Sequence, residues 1–422
     1  MAASEKRERS GGRGWSRRGV LAGVVGVPVL LIAACGGHPG ATSAAPGGQG
    51  AAAEAAVSAP ASPKASVAKI AVSPADGATA VPFSDPVKVT VADGTLSSVR
   101  LTDTAGREIP GQPTADGTGW ASTGKLASGT KYKLAVSATD ANGLTADSNT
   151  SFATATPANT FVGYFSPEDG STVGVGMPVS INFNKPVTDR KAVEQAITVT
   201  SSSGVEVVGH WYSGTRLDFR PAEYWPSGSQ VTLKLRLKDV QGAKGVYGTQ
   251  SKDVTFNVGR SQTSVADLAK NTLTVTTDGR VTATYPIIGG APDHRTWGGK
   301  LVISEQYQET RMNSNTVGLG SEYDIPDVPH AQRLTNSGTF IHGNYWSPAS
   351  QFGSANTSHG CISLQDVKGG ADGNTNAAAF FKSSMVGDVV EVVNSGDRPV
   401  DPANGLSDWN LGWADWKAGS AL

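Results

Sequence analysis

Short runs of alternating apolar and polar residues dominate the chain between residues 67 and 260. Val87 to Val91 and Lys131 to Val136 alternate in this way, as do Val179 to Phe183 and Val231 to Leu237. A period of two places successive side chains on opposite faces of a strand, so each run predicts a half-buried β-strand. Turns rich in Gly, Asp and Pro separate the runs, which is typical of sheets of short strands.

These runs belong to a repeat of roughly one hundred residues, the usual size of an immunoglobulin-like sandwich. Ser73-Pro74-Ala75-Asp76-Gly77 precedes the first run, and Ser166-Pro167-Glu168-Asp169-Gly170 precedes its counterpart. The repeat predicts two immunoglobulin-like β-sandwiches, one at residues 67–156 and one at residues 157–260. Neither contains a cysteine, so neither can have the inter-sheet disulfide of antibody domains.

The pattern changes from residue 261 onward. Asp278-Gly279 lies between two short apolar-polar runs and predicts a β-hairpin. Further segments predict three strands and one helix: 300–304, 338–342 and 389–393 as strands, and 376–383 as the helix. Residues 261–395 therefore form a third, β-rich domain with short helices. The last segment, 396–422, carries three tryptophans at helix-like spacing and is predicted to pack on that third domain.

The N-terminal segment is typical of an export signal. Lys and Arg cluster before Gly19, and an apolar run follows from Gly19 to Ala34. A transmembrane anchor is the alternative, although a span needs about 20 residues. The sequence around Cys35 resembles the lipobox of bacterial lipoproteins, in which the cysteine is lipidated. Residues 1–35 are therefore interpreted as a lipoprotein signal peptide, and Arg17-Arg18 leaves a twin-arginine export route open.

Residues 36–66 consist mainly of Ala, Gly, Pro and Ser and predict a flexible tether. Lipidated Cys35 would anchor the chain to the outer face of the cell membrane, with the domains outside the cytoplasm. The net charge of −1, with no long basic run after the N-terminus, argues against nucleic acid as a partner. No phosphate-binding or dinucleotide fingerprint is present, so no cofactor is predicted.

The sequence predicts no metal site. His210, His294 and His330 are far apart along the chain, and none has a paired carboxylate or cysteine at metal-ligand spacing.

Cys361 is the candidate nucleophile. The chain has two cysteines, and lipidation of Cys35 would leave Cys361 as its one free thiol. A thiol needs a neighbouring base to attack a carbonyl at neutral pH, and histidine is the usual one. His359 is two residues away and would share a face with Cys361 in a strand. His342 follows an apolar strand and precedes Gly343, so spacing alone leaves both histidines open.

The pattern of His342-Gly343, fifteen residues, then His359-Gly360-Cys361 resembles the active-site signature of the L,D-transpeptidases, which have a YkuD-type catalytic domain. The order of signal, two sandwiches, catalytic domain and Trp-rich C-terminus also resembles the mycobacterial-type enzymes. The resemblance implies that Cys361 is the nucleophile and His342 the general base, which is oriented by the carbonyl of Gly343. It further implies that His359 and Gly360 belong to the signature, with backbone N–H groups at Gly360 and Cys361 forming an oxyanion hole.

The same resemblance implies the substrate contacts. Tyr323 and Met312 match positions in a flap over the substrate, and Ser337 and Gly338 match a substrate-contacting pair. Ser363 stands where many relatives have Asn. The implied partners are peptidoglycan tetrapeptide stems, as donor and as acceptor, and carbapenem β-lactams as covalent inhibitors. The implied reaction forms 3→3 cross-links through a Cys361 thioester.

Three alternatives remain at this point. Water could replace the acceptor amine, which would make the protein an L,D-carboxypeptidase or endopeptidase. A protein could replace the acceptor stem, and the enzyme would then anchor other proteins to the wall. The chain could also be a wall-binding lipoprotein with an idle catalytic domain. The sandwiches are predicted to be a stalk, although their aromatics could bind the wall or pack in the interior. These aromatics are Trp211, Tyr212, Tyr224 and Trp225.

Overall fold

The computed structural model describes residues 64–422, and strands dominate this part of the chain. The mainly β fold class is confirmed. The predicted signal peptide with Cys35, and nearly all of the predicted tether, lie outside the described residues. Within residues 64–422, no helix combines the length and the apolar character needed to cross a membrane.

The first sandwich has eight strands in two sheets. Its alternating runs bury one face each, and Val89, Trp120 and Leu134 pack between the sheets. The strands are β1 (Lys69–Ser73), β2 (Ala78–Val81), β3 (Lys88–Ala92), β4 (Thr95–Asp103), β5 (Gly111–Pro113), β6 (Gly119–Ser122), β7 (Lys131–Thr139) and β8 (Thr145–Thr154). One sheet has the order β1-β3-β6-β5, and the other has the order β2-β8-β7-β4.

The second sandwich has two main four-stranded sheets and a small third one. Their orders are β10-β12-β15-β14, β11-β19-β16-β13 and β17-β18-β9. The elements are β9 (Asn159–Phe161), β10 (Gly163–Ser166), β11 (Thr172–Val173), β12 (Val179–Phe183), α1 (Arg190–Gln195), β13 (Ile197–Ser201), β14 (Val208–Trp211), β15 (Arg216–Arg220), β16 (Gln230–Arg236), β17 (Gln241–Ala243), β18 (Val246–Gly248) and β19 (Ser251–Val258).

The repeated Pro-x-Asp-Gly segments make equivalent contacts in the two sandwiches. Asp76 accepts a hydrogen bond from the backbone of Ser151 at 2.8 Å, and Asp169 accepts one from the backbone of Thr255 at the same distance. In each sandwich the acceptor ties a turn to the last strand. The sequence repeat is therefore a repeat of structure.

The third domain is built on one ten-stranded sheet of order β23-β29-β20-β21-β22-β28-β26-β25-β24, with β27 paired to β22. Asp278 and Gly279 both have positive φ in the predicted hairpin, as a type I′ turn requires. The elements are β20 (Gln262–Asp267), β21 (Thr272–Thr277), β22 (Arg280–Gly290), β23 (Gly299–Val302), β24 (Glu305–Asn313), β25 (Asp324–Arg333), β26 (Phe340–Asn344), β27 (Asn356–Ser358), β28 (Ile362–Gln365), α2 (Asn376–Ser383) and β29 (Val389–Val393).

Helix α2 has the predicted bounds and covers the part of the sheet that carries the candidate site. Thr375 caps its first turn by accepting from the backbone of Ala378, and Phe380 is fully buried against the sheet. The helix packs on β25, β26 and β28. These three strands are therefore held rigidly from one side.

The C-terminal segment corrects one prediction. Its tryptophans do not share one helix, because a 3-10 turn at Asp408–Asn410 precedes α3 (Trp413–Ala418). The segment touches the third domain through Asn410, which bonds to the backbone of Lys300. However, α3 lies on the second sandwich, where the indole N–H of Trp416 donates to the carbonyl of Val208 at 2.9 Å. The segment therefore packs on both domains: Trp409 lies against Val302 and Val389 of the third domain, and α3 lies on the second sandwich. The predicted packing on the third domain covers only part of these contacts.

The aromatics of the second sandwich serve packing. Trp211 and Trp225 are buried in its core. Tyr212 donates to the buried carboxylate of Asp408, and Tyr224 packs edge-on against Trp409. The four rings are thus engaged in the core or in the interface with the C-terminal segment, which favours the packing alternative over a wall-binding surface.

Candidate active site

Two parallel neighbouring strands position the candidate catalytic pair. β26 carries His342, and β28 begins directly after Cys361. In the register of these strands, His342 pairs with Ser363 and Ile341 pairs with Ile362. All of β26 and the first three residues of β28 are buried, so the sheet holds both side chains where they line one cleft.

His342 is buried and oriented by its neighbour. Its Nδ1 lies 2.9 Å from the carbonyl oxygen of Gly343, which accepts the Nδ1–H. The lone pair is then on Nε2, which lies 3.4 Å from the hydroxyl of Ser363. Burial lowers the pKa of His342, against smaller raising effects of the Gly343 carbonyl and of Asp366. The imidazole is therefore a neutral base at physiological pH.

Cys361 is the free cysteine of the described residues, and it is 8% exposed. Burial raises the pKa of its thiol to about 11, although the backbone N–H of Phe340 donates to Sγ at 3.4 Å and opposes this. Sγ also lies 3.6 Å from the carbonyl oxygen of Gly338. The resting thiol is therefore protonated, and it needs a base before it can attack.

Gly343 is required by its surroundings. A Cβ at this position would collide with the carboxylate of Asp366, which lies behind the strand. Asp366 in turn is 2.7 Å from Nδ1 of the buried His330 and accepts from Thr375 at 2.9 Å. Spacing along the sequence offered His330 no carboxylate partner, because Asp366 is 36 positions away along the chain.

His359 and Cys361 do not share a strand. β27 ends at Ser358 and β28 starts at Ile362, and between them Gly360 has a φ of 104°, which favours glycine. The condition for a shared face, a common strand, is therefore not met, although both residues line the same cleft. His359 is instead exposed at the cleft mouth, where its ring lies 5.1 Å from that of Tyr323.

The two predicted oxyanion donors differ in availability. The N–H of Gly360 donates to the hydroxyl of Ser358 at 3.2 Å. That hydroxyl donates to the carbonyl of Cys361 at 2.6 Å, so it fixes the turn around the thiol. The N–H of Cys361 makes no hydrogen bond within residues 64–422 and remains the better donor.

The cleft has a volume of about 260 Å³. Tyr323 and Met312, from the predicted flap, are among the residues that line it. Burial raises the pKa of Tyr323 to about 12, and the nearby Cys361 and Glu322 add to the shift. Met312 packs on the small apolar cluster that includes Cys361.

Of the three remaining residues predicted to contact substrate, one lines the cleft and two do not. Ser363 lines the cleft. Gly338 touches the thiol through its carbonyl oxygen but does not line the cleft. Ser337 lies apart from it, since its hydroxyl accepts from Asn404 of the C-terminal segment at 2.9 Å. A substrate contact by Ser337 is therefore not supported, because the C-terminal segment occupies its polar groups.

Trp346 is a cleft residue that the motif reasoning missed. Its ring stacks on that of His342, with the two centroids 5.7 Å apart. Trp346 itself is 42% exposed. His342 and Asn344 alternate along β26, and the period of two places both on one face. Trp346 has the same spacing but lies in the bend after β26, where the strand period does not place its side chain. Ile288, Ile325 and Thr357 also line the cleft, but no local signal connects them.

The chain matches two known families. It matches the bacterial Ig domain over residues 78–241 and the L,D-transpeptidase catalytic domain, YkuD, over residues 261–392. It is 33% identical over 360 residues to L,D-transpeptidase 2 of Mycobacterium tuberculosis, which covers 84% of this chain and 85% of that protein. L,D-transpeptidase 5 of the same species is 32% identical over 361 residues, with 84% and 77% covered.

Among solved structures, the chain is similar to an L,D-transpeptidase in complex with imipenem, to which it is 32% identical. The alignment covers 56% of this chain and 100% of the solved one, with a TM-score of 0.47. The resemblance carried by the His342 to Cys361 signature is confirmed by the relatives, whose similarity extends over most of both chains. The chain therefore belongs to the L,D-transpeptidase family of cysteine-dependent acyltransferases.

Proposed function

We propose that the protein forms 3→3 cross-links between peptidoglycan stems through a thioester on Cys361. One observation carries the proposal. A neutral, carbonyl-oriented imidazole and a free thiol line the same cleft. This is the arrangement of a nucleophile, a base and an orienting acceptor that covalent acyl transfer needs.

The first half-reaction transfers an acyl group to sulfur. Nε2 of His342 accepts the thiol proton as Sγ of Cys361 bonds to the carbonyl carbon of the third stem residue. The N–H of Cys361 donates to the developing oxyanion; such a donor contributes about 3–4 kcal/mol. The bond to the terminal D-amino acid then breaks, and His342 returns the proton to the leaving amine.

The second half-reaction transfers the acyl group to an amine. The side-chain amine of another stem attacks the thioester and loses a proton to His342. The C–S bond breaks, and the proton restores the Cys361 thiol. Tyr323 and Trp346 both line the cleft. A stem packed against these rings would keep water from the thioester, which favours the amine over hydrolysis.

Carbapenems are proposed to acylate the same thiol. A relative is described in complex with imipenem. Attack of Sγ on the strained lactam carbonyl opens the ring and uses the same base and oxyanion donor. The lactam C–N bond breaks, its nitrogen takes the proton from His342, and the resulting thioester adduct occupies the cleft that the donor stem would enter.

Incubation of the protein with a disaccharide-tetrapeptide, followed by mass spectrometry of the products, tests the reaction. We expect a dimer whose mass is lower than twice the monomer by one D-Ala. Exclusive release of the tripeptide would identify a hydrolase instead. Unchanged tetrapeptide in the presence of an enzyme that carbapenems acylate would contradict the proposed donor.

We further propose that lipidated Cys35 anchors the protein to the outer face of the cell membrane, with the sandwiches acting as a stalk. The basic and apolar N-terminal pattern and the lipobox-like sequence support this. The Cys35→Ser variant should leave the membrane fraction of cells that export it. Equal membrane retention of the variant would contradict lipidation at this position.

A further inference from the structure

Three polar side chains from separate segments meet at the mouth of the cleft. His294 comes from the loop after β22, Glu322 from the loop between β24 and β25, and His359 from the turn before Cys361. Nε2 of His294 lies 3.4 Å from Oε2 of Glu322, and Nε2 of His359 lies 3.3 Å from the same oxygen. All three candidate ligand atoms lie within 4.8 Å of one another.

We propose that His294, Glu322 and His359 bind a zinc-class divalent cation. Two imidazoles and one carboxylate form a ligand set that zinc takes in proteins, with bonds of about 2.0–2.2 Å. At such lengths, adjacent corners of a tetrahedron are about 3.3–3.6 Å apart. The two distances from histidine nitrogen to glutamate oxygen already have this length. Only the distance between the two histidine nitrogens must shorten when the cation binds.

The site is accessible and has room for a further ligand. The side chains of His294, Glu322 and His359 are 25%, 40% and 40% exposed. The fourth corner of the tetrahedron can therefore be taken by water. Asp293, 80% exposed and with its carboxylate 3.8 Å from Nε2 of His294, offers a further oxygen.

The atoms that converge are ligand atoms. One carboxylate oxygen faces two imidazole nitrogens, and the two imidazole rings are 4.9 Å apart. Histidine ligates a metal through a ring nitrogen and glutamate through a carboxylate oxygen, so the geometry itself points to a shared cation.

The bound cation would connect the flap to the nucleophile turn. Glu322 directly precedes Tyr323 of the flap, and His359 is two residues from Cys361. The ring of Tyr323 already lies 5.1 Å from that of His359. Coordination would therefore hold the flap loop, residues 314–323, closed against the cleft. The binding itself is independent of the proposed reaction, since no ligand is the thiol.

Equilibrium dialysis of the full chain against zinc tests the site. Both cysteines are first replaced, as Cys35→Ala and Cys361→Ala, because thiolates bind zinc. We expect one zinc per chain, at least about tenfold weaker binding in His294→Ala and in Glu322→Gln, and binding restored in His294→Cys. Glu309→Gln, an exposed carboxylate change on β24, is the matched control and should bind like the parent.

Hydrogen exchange gives a second readout that separates lost ligation from lost folding. Zinc should slow the exchange of amides in residues 314–323 of the parent and leave Glu322→Gln unaffected there. Exchange elsewhere should be equal in the two proteins. Equal zinc binding by the parent and both ligand variants, or no binding by the parent, would overturn the proposal.

Discussion

The Cys361→Ala variant is expected to lose turnover of the tetrapeptide by a factor of about 10³ or more, because it has no atom that can hold the acyl group. Release of D-Ala from the donor measures this. Cys35→Ala is the matched control, since it removes the other thiol of the chain and should leave the rate unchanged. Turnover retained in Cys361→Ala would contradict the assignment of the nucleophile.

The loss should not reflect unfolding. Among residues 64–422, Sγ of Cys361 has two long hydrogen bonds, at 3.4 Å from the N–H of Phe340 and at 3.6 Å to the carbonyl oxygen of Gly338. The β-carbon remains in the small apolar cluster with Ala331 and Phe340. We therefore expect the variant to bind the donor and to melt close to the parent temperature, which calorimetry can check.

The His342→Gln variant is expected to lower kcat by a factor of about 10²–10⁴, the usual contribution of a positioned base. Burial raises the pKa of the Cys361 thiol to about 11, so at neutral pH almost none of it is ionised. Without the imidazole, only hydroxide in solution can remove the proton. The residual rate should therefore rise about tenfold per pH unit until the pH approaches 11.

The parent enzyme should behave differently, because burial lowers the pKa of His342 and keeps the imidazole neutral. Its kcat should change little over roughly pH 7 to 9, where the base is already available. Pre-steady-state acylation by a carbapenem, followed across this range for both proteins, measures the difference. A variant with the parent's flat profile would contradict the role of His342 as the base.

The fold could be predicted where local pattern decides structure. The repeated turns, the Asp278-Gly279 hairpin and the bounds of α2 follow from residue type and periodicity. The C-terminal helix could not be placed, because its partner Val208 is 208 positions away. Long-range packing decides which domain a helix covers, and the spacing of residues along the chain does not predict that packing.

The residues of the candidate site likewise separate into those that the sequence identified and those that only the folded structure shows. His342 and Cys361 were identified through the resemblance of their glycine-flanked signature to that of the L,D-transpeptidases, because spacing alone left His342 and His359 both open as the base. The contacts of Asp366 with His330, and of Glu322 with His294, join distant segments and have no sequence signal. His359 would have shared a face with Cys361 in a strand, but the positive φ of Gly360 interrupts the strand between them, and the sequence alone did not show this.

Mass spectrometry of the intact protein, quenched in acid shortly after mixing with the tetrapeptide donor, tests the central claim most directly. The thioester predicts an added mass equal to the donor without its terminal D-Ala, located by digestion on the peptide that contains Cys361. Steady release of D-Ala without such an adduct, or with the acyl group on another residue such as Ser358 or Ser363, would contradict it.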